Sequence, residues 1–139
     1  MSINNLDNIT PGSIDLGILL RDVERLKTLN VTEELITRVL SIALAHDRSP
    51  TDVITDVNEN TQICKSEGFN IQPPGPIERV DFRIAISVTG IMYATHGNYS
   101  GIQDICRRVK DLASRGNVPE YLAADLIYLA HRERPRSGL

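Results

Sequence analysis

Twelve consecutive residues without a charged side chain, IAISVTGIMYAT from Ile84 to Thr95, constrain this chain more than any other feature. With its flanks the stretch runs from Ile77 to His96. It is too apolar to turn any side to water, so the remaining chain has to enclose it. Two periods compete within it. Val80, Phe82, Ile84, Ile86 and Val88 alternate with Asp81, Arg83, Ala85, Ser87 and Thr89, the pattern of a strand. Ile77, Val80, Ile84, Val88, Ile91 and Thr95 instead follow the helical period. Length decides for the helix: strands end after about 5–6 residues, and no turn residue interrupts this run before Gly90. Pro76 suits a first helical position, Glu78 and Asp81 lie near the positive end of the dipole, and Gly97 suits a left-handed C-terminal cap. The expectation is a helix over 77–96 at the centre of a bundle, with a strand over 80–88 as the competing reading.

The flanking segments supply the enclosure. Ser13 can cap a first helix reaching about Leu29, with Leu16, Leu19, Val23 and Leu26 as a narrow seam. Thr32 caps a second helix, with Glu33 and Glu34 in its first turn and Leu35, Val39, Ile42 and Ala43 as its stripe, flanked by Ile36 and Leu40. Ser49-Pro50-Thr51-Asp52 begins a third, carrying Val53, Ile54, Val57, Thr61 and Cys64 on one face. The polar run Asn58 to Gln62 weakens that helix and predicts an early break. Phe69 to Pro76, with three prolines, reads as an extended crossover. Beyond the central segment Ser100 caps a fifth helix with the seam Ile102, Ile105, Val109 and Leu112. Pro119 opens a sixth with the stripe Leu122, Leu126 and Leu129.

The chain therefore reads as all-α: a compact single-domain bundle of about six helices around the apolar helix 77–96. An arm at 1–12, a bundle at 13–131 and a basic tail at 132–139 make up its length. The outer hairpins could be copies of one another. RDVERL (21–26) parallels RRVKDL (107–112), NVTEEL (30–35) parallels NVPEYL (117–122), and LAH recurs at 44–46 and 129–131. Any amphipathic hairpin needs a cap, a seam and a turn, so convergence explains the same pattern.

Composition narrows the function classes. The net charge is -3, which implies neither a strongly acidic nor a strongly basic partner. No basic and apolar leader opens the chain, and no run approaches the ~20 apolar residues of a membrane span. A cytoplasmic protein without membrane contact is expected. The only cysteines, Cys64 and Cys106, form no CxxC pair and fall on apolar stripes, so they read as core thiols rather than metal ligands. Asn8, Asn30 and Asn98 head glycosylation triplets but are read as turn and cap residues. His46, His96 and His131 all fall at expected helix C-termini, where an imidazole suits the orphan carbonyls. No phosphate loop, dinucleotide fingerprint, zinc-protease or serine-hydrolase motif occurs.

No catalytic, cofactor-binding or metal-binding residue is therefore assigned, and no enzyme or cofactor is expected. The expected function is a non-enzymatic protein-protein interaction, oligomerisation or regulatory module, with a protein partner or self-association. Aromatic and arginine residues dominate interface energetics, which singles out Tyr99, Tyr121, Arg107, Arg108 and Arg115. The alternative is a nucleic-acid-binding regulator. It would use the basic helix 101–115 and the arginine-rich tail, through Arg107, Arg108, Lys110, Arg132, Arg134 and Arg136. Glu120 and Asp125 on the would-be recognition helix oppose it, since they would repel phosphate.

Overall fold

The structure, a computed structural model, describes residues 16–75, 77–96 and 99–132. The described residues form six helices and no strand: α1 (Leu16–Thr28), α2 (Glu33–Ala45), α3 (Pro50–Ser66), α4 (Val80–Thr95), α5 (Ile102–Gly116) and α6 (Glu120–Arg132). The expected arm at 1–12, the Ser13 cap, Pro76, Gly97, Asn98 and the tail from Glu133 onward lie outside the described residues.

The all-α bundle stands, and its centre is the uncharged stretch. In α4 the side chains of Val80, Phe82, Ile84, Ala85, Ile86, Val88 and Ile91 are all at most 1% exposed. Helical geometry spreads these positions around the whole circumference, and α3, α6, α5 and α2 all pack against the rod. The strand reading fails because the polar residues that alternate with the apolar ones, Asp81, Ser87 and Thr89, are buried as well. The rod starts at Val80, three residues later than expected. Arg79 occupies the cap position in extended backbone, and Ile77 stands outside the helix with 65% of its surface exposed.

Local devices set the other ends. Thr32 Oγ1 accepts from the Leu35 amide at 3.3 Å, and Ser49 Oγ accepts from the Asp52 amide at 3.1 Å, as their cap assignments require. Asn30, Asp47 and Asn117 adopt left-handed backbone after α1, α2 and α5. In each case the next amide reaches back five residues: Val31 to Leu26, Arg48 to Ala43 and Val118 to Ala113. This is the Schellman closure, with asparagine or aspartate standing in for glycine. The shared Asn-Val of the two outer hairpins is thus one physical solution used twice. Their later leucines part company: Leu35 is wholly buried, whereas Leu122 is 37% exposed.

Four expectations are corrected. First, α3 does not break early. Its polar patch turns inward, where Asn60 Nδ2 donates to Thr89 Oγ1 at 2.8 Å and Thr61 Oγ1 to the Val57 carbonyl at 2.7 Å. Second, the α1 seam is largely open: only Leu26 is buried, because α1 rests on α2 and α3 alone. Third, Ser100 does not cap α5. Gly101 takes that place without a side-chain cap bond, and the Ser100 amide and hydroxyl both donate to Asp104. Fourth, the Leu122, Leu126 and Leu129 stripe of α6 faces outward, while Ala123, Ala124, Asp125, Ile127 and Tyr128 face the core.

That rotation of α6 follows from a close approach to α4. A Cβ on Gly90 would stand 2.7 Å from two carbons of the Tyr128 ring and 3.2 Å from Ile42 Cδ1. The ring lies directly on the glycine, where any side chain would meet it. Gly90→Ala improves helix propensity by up to ~1 kcal/mol but overpacks this contact, which costs about 1–3 kcal/mol. The variant is expected to be less stable than the parent in urea unfolding monitored by circular dichroism.

Candidate interaction surface

The polar groups that α4 carries inside organise one side of the molecule. Asp125 of α6 is 6% exposed and receives three donors from two other helices. Arg38 Nη2 of α2 lies 3.0 Å from its Oδ1, Arg83 Nη2 of α4 lies 3.0 Å from its Oδ2, and Ser87 Oγ donates to Oδ1 at 2.6 Å. Arg83 also reaches Glu78 at 3.2 Å and lies over the Tyr121 ring at 4.5 Å. Burial works against the Arg83 charge, but Asp125 and then Glu78 outweigh it and raise the guanidinium pKa above its ordinary value. Asp125, read from sequence as a repulsive charge on a recognition helix, is instead the neutralising centre of a buried cluster.

A second ionic group closes the start of α4. Arg79 grips Asp81 with two nitrogens, at 3.1 and 2.6 Å, and Lys65 of α3 stands 3.3 Å away. Burial alone would raise the Asp81 pKa; the Arg79 hydrogen bonds and charge overcome it and hold the carboxyl below its ordinary 3.8.

Two of the three histidines, His46 and His131, are brought to separate tyrosines. His46 Nε2 and Tyr128 Oη are 3.1 Å apart, and His131 Nε2 and Tyr99 Oη are 3.3 Å apart. Tyr93 donates to Asp56 and packs under Arg48, whose guanidinium is 4.0 Å from the ring centroid. Burial, and then Asp56, raise the Tyr93 pKa; burial likewise raises that of Tyr128, against the opposing charges of Arg132 and Arg38. Both phenols therefore stay protonated, Tyr93 as the donor to Asp56. Among the described residues, no group of three or more His, Cys, Asp or Glu side chains is placed to hold a metal ion. The polar cleft of ≈ 170 Å³ between Arg38, Ser41, Ser87, Tyr128 and Arg132 is smaller than the roughly 300–1,000 Å³ of ordinary ligand pockets.

The sequence-selected residues divide. Arg107, Arg108 and Arg115 keep most of their side-chain surface, at 72, 52 and 79%, but each has a carboxylate beside it on α5. Asp104 lies 3.4 Å from Arg107, and Asp111 lies 3.6 Å from Arg108 and 3.0 Å from Arg115. Lys110 leaves this face. It donates to the Glu67 carbonyl at the end of α3 and stands 5.5 Å from the Phe69 ring centroid. Tyr121 is half-buried beneath Arg83 rather than offered as an anchor. Tyr99 is half-buried against His131, and Arg132 is exposed at the end of α6. Arg134 and Arg136 lie outside the described residues.

The surface that sequence reasoning missed is the outward side of α6. Pro119, Leu122, Leu126, Leu129 and Ala130 are all exposed and lie on one helical face, with no charge among them. A cleft of ≈ 420 Å³ toward α5 borders this strip, lined in part by Tyr99, Arg108, Leu112 and Leu126. A second apolar groove, ≈ 290 Å³, lies between α1, α2 and the start of α3, lined by Leu19, Leu40, Ala43, Leu44 and Pro50 together with the charged Asp47 and Arg48. The outward strip was present in the sequence as the i, i+4, i+7 leucines. What was missing was the competing alanine face that actually packs.

Removing one partner from a buried ionic cluster strands the others. Asp125→Ala leaves Arg38 without this carboxylate and Arg83 with Glu78 alone, and a loss of about 3–5 kcal/mol is expected in denaturant unfolding. The Asp81 cluster sets an acid limit. Because the folded carboxyl binds its proton less readily than the unfolded one, its contribution is complete above the ordinary pKa of 3.8 and disappears as pH falls through the lower folded value. Thermal melts of Asp81→Asn are expected to lie below the parent near neutrality and to converge with it in acid. Compared with protein-family models, curated proteins and solved structures, the chain matches none.

Proposed function

We propose that this protein is a non-enzymatic interaction module whose contact surface is the outward face of α6. The observation that carries the reading is the uncharged strip Pro119, Leu122, Leu126, Leu129 and Ala130. Leu122, Leu126 and Leu129 are 37, 46 and 43% exposed, and their alignment on a helix well anchored to the core makes a preformed ridge rather than scattered surface leucines. Helical ridges of this kind pair with an apolar helix face of another chain. A second copy of the same protein is the partner this strip fits first. A two-fold axis would set the strip against itself, and a surface without charge meets no like-charge repulsion there. The groove between α1 and α2 is less suited, since Asp47 and Arg48 lie within it, whereas Arg108 stands in the cleft beside the α6 strip and not on the strip itself.

Nucleic-acid binding remains the second reading. Three guanidinium groups of α5 stay largely in solvent, which favours it; Asp104 and Asp111 within the same face reduce its positive charge, which does not.

Light scattering across a concentration series tests the primary reading. The parent is expected to shift from monomer toward dimer as concentration rises. The double variant Leu122→Asp/Leu126→Asp is expected to remain monomeric with an unchanged helical dichroism spectrum, because both side chains already contact solvent. A parent that stays monomeric at every concentration would sink the self-pairing.

A further inference from the structure

Cys64 of α3 and Cys106 of α5 are the chain's only cysteines. They are separated by 42 positions, yet the fold brings their sulfurs to 3.9 Å. Both are buried, at 2% and 0% exposure, and both are free thiols. No other pair of oxidisable sulfurs in this sequence could be joined within one chain. We propose that Cys64 and Cys106 are a site of reversible oxidation, at which hydrogen peroxide joins them into an intramolecular disulfide that ties α3 to α5.

The geometry already does most of the work. A disulfide needs its sulfurs at about 2.05 Å, so from 3.9 Å the two must approach by roughly 2 Å. The contact also polarises the pair. The hydrogen bond from Cys64 favours a thiolate at Cys106 in spite of burial, and the Lys110 ammonium, one turn along α5, adds to the effect. That same hydrogen bond, and then burial, push the Cys64 thiol up and keep it protonated. Cys106, with the Lys110 ammonium one turn along its own helix, is assigned as the attacking sulfur and Cys64 as the resolving one.

The chemistry balances with peroxide alone. The Cys106 thiolate attacks one peroxide oxygen, the O–O bond breaks, and the departing hydroxide takes up a proton to leave as water, giving a sulfenic acid. The Cys64 sulfur then attacks the sulfenic sulfur. The S–S bond forms, the S–O bond breaks, and the leaving hydroxide carries off the Cys64 proton as a second water. The two sulfurs have together given two electrons to the peroxide. Burial narrows the oxidant: at 2% and 0% exposure the two sulfurs are closed to a bulky disulfide reagent, so a small neutral molecule is the class proposed.

The test uses the full chain, first reduced and then exposed to hydrogen peroxide. After quenching, the protein is denatured, alkylated and measured as an intact mass. A monomer lighter by two hydrogen atoms, carrying no alkyl group and returned to two alkylatable thiols by dithiothreitol, is the expected result. The thermal midpoint of the oxidised form is expected to rise by about 5–15 °C. The assignment is overturned if both thiols remain alkylatable after peroxide. It is equally overturned if Cys106 stops at a sulfinic acid beside a free Cys64, or if the disulfide forms only between molecules. Trapping with dimedone, added together with denaturant after the peroxide, is expected to label Cys106 in Cys64→Ser; a label found only on Cys64, in Cys106→Ser, would refute the assigned order.

Discussion

A helix buried on every side has to find partners for the polar side chains it takes inside, and this requirement organises the molecule around α4. The rod carries Asp81, Ser87, Thr89 and Thr95 into the interior. A buried polar group without a partner costs about 1–3 kcal/mol, so none of these positions is neutral. Thr89 and Thr95 return their hydroxyls to carbonyls one turn back, at 2.7 and 2.8 Å. Thr89 also accepts from Asn60, which fixes the register of α3. Ser87 donates to Asp125, which fixes that of α6, and Asp81 draws in Lys65 from α3. Apolar burial supplies the driving force, but these pairings select which rotation of each outer helix is compatible with the rod.

The rotation of α6 has the largest consequence. Asp125 and Tyr128 must both face α4, one to meet Ser87 and the other to lie on Gly90. Positions 125 and 128 are a helical turn apart, so a single orientation serves both, and Ala123, Ala124 and Ile127 come with it. Leu122, Leu126 and Leu129 are then carried to the outside. The exposed ridge proposed as a contact surface is thus a by-product of polar and steric demands at the core, which outweigh the apolar stripe that hydrophobicity alone would bury.

Arginine was a poorer guide to the surface. The α5 cluster looks like a basic face in sequence, but Asp104 and Asp111 share its helical side at three- and four-residue spacing. Lys110 bends away to the carbonyl of Glu67. Of the two tyrosines singled out, Tyr121 lies under Arg83, while Tyr99 borders the cleft beside the leucine ridge. An aromatic or basic residue in a turn or on a short helix is not evidently an anchor until its neighbours from elsewhere in the chain are known.

Local chemistry was legible in the residues themselves. The helix starts at Thr32 and Ser49, the asparagine turns at Asn30 and Asn117, the inward faces of α2 and α3, and the central place of the uncharged stretch all rest on contacts within a few positions or on the sheer absence of charge. The orientation of α6, the inward turn of the α3 polar patch, the open side of α1 and the meeting of Cys64 with Cys106 were decided only in three dimensions. Each depends on a partner at least 29 positions away or on a face left uncovered. Periodicity reports that a helix has an apolar side; it does not carry the identity of the surface that will meet it.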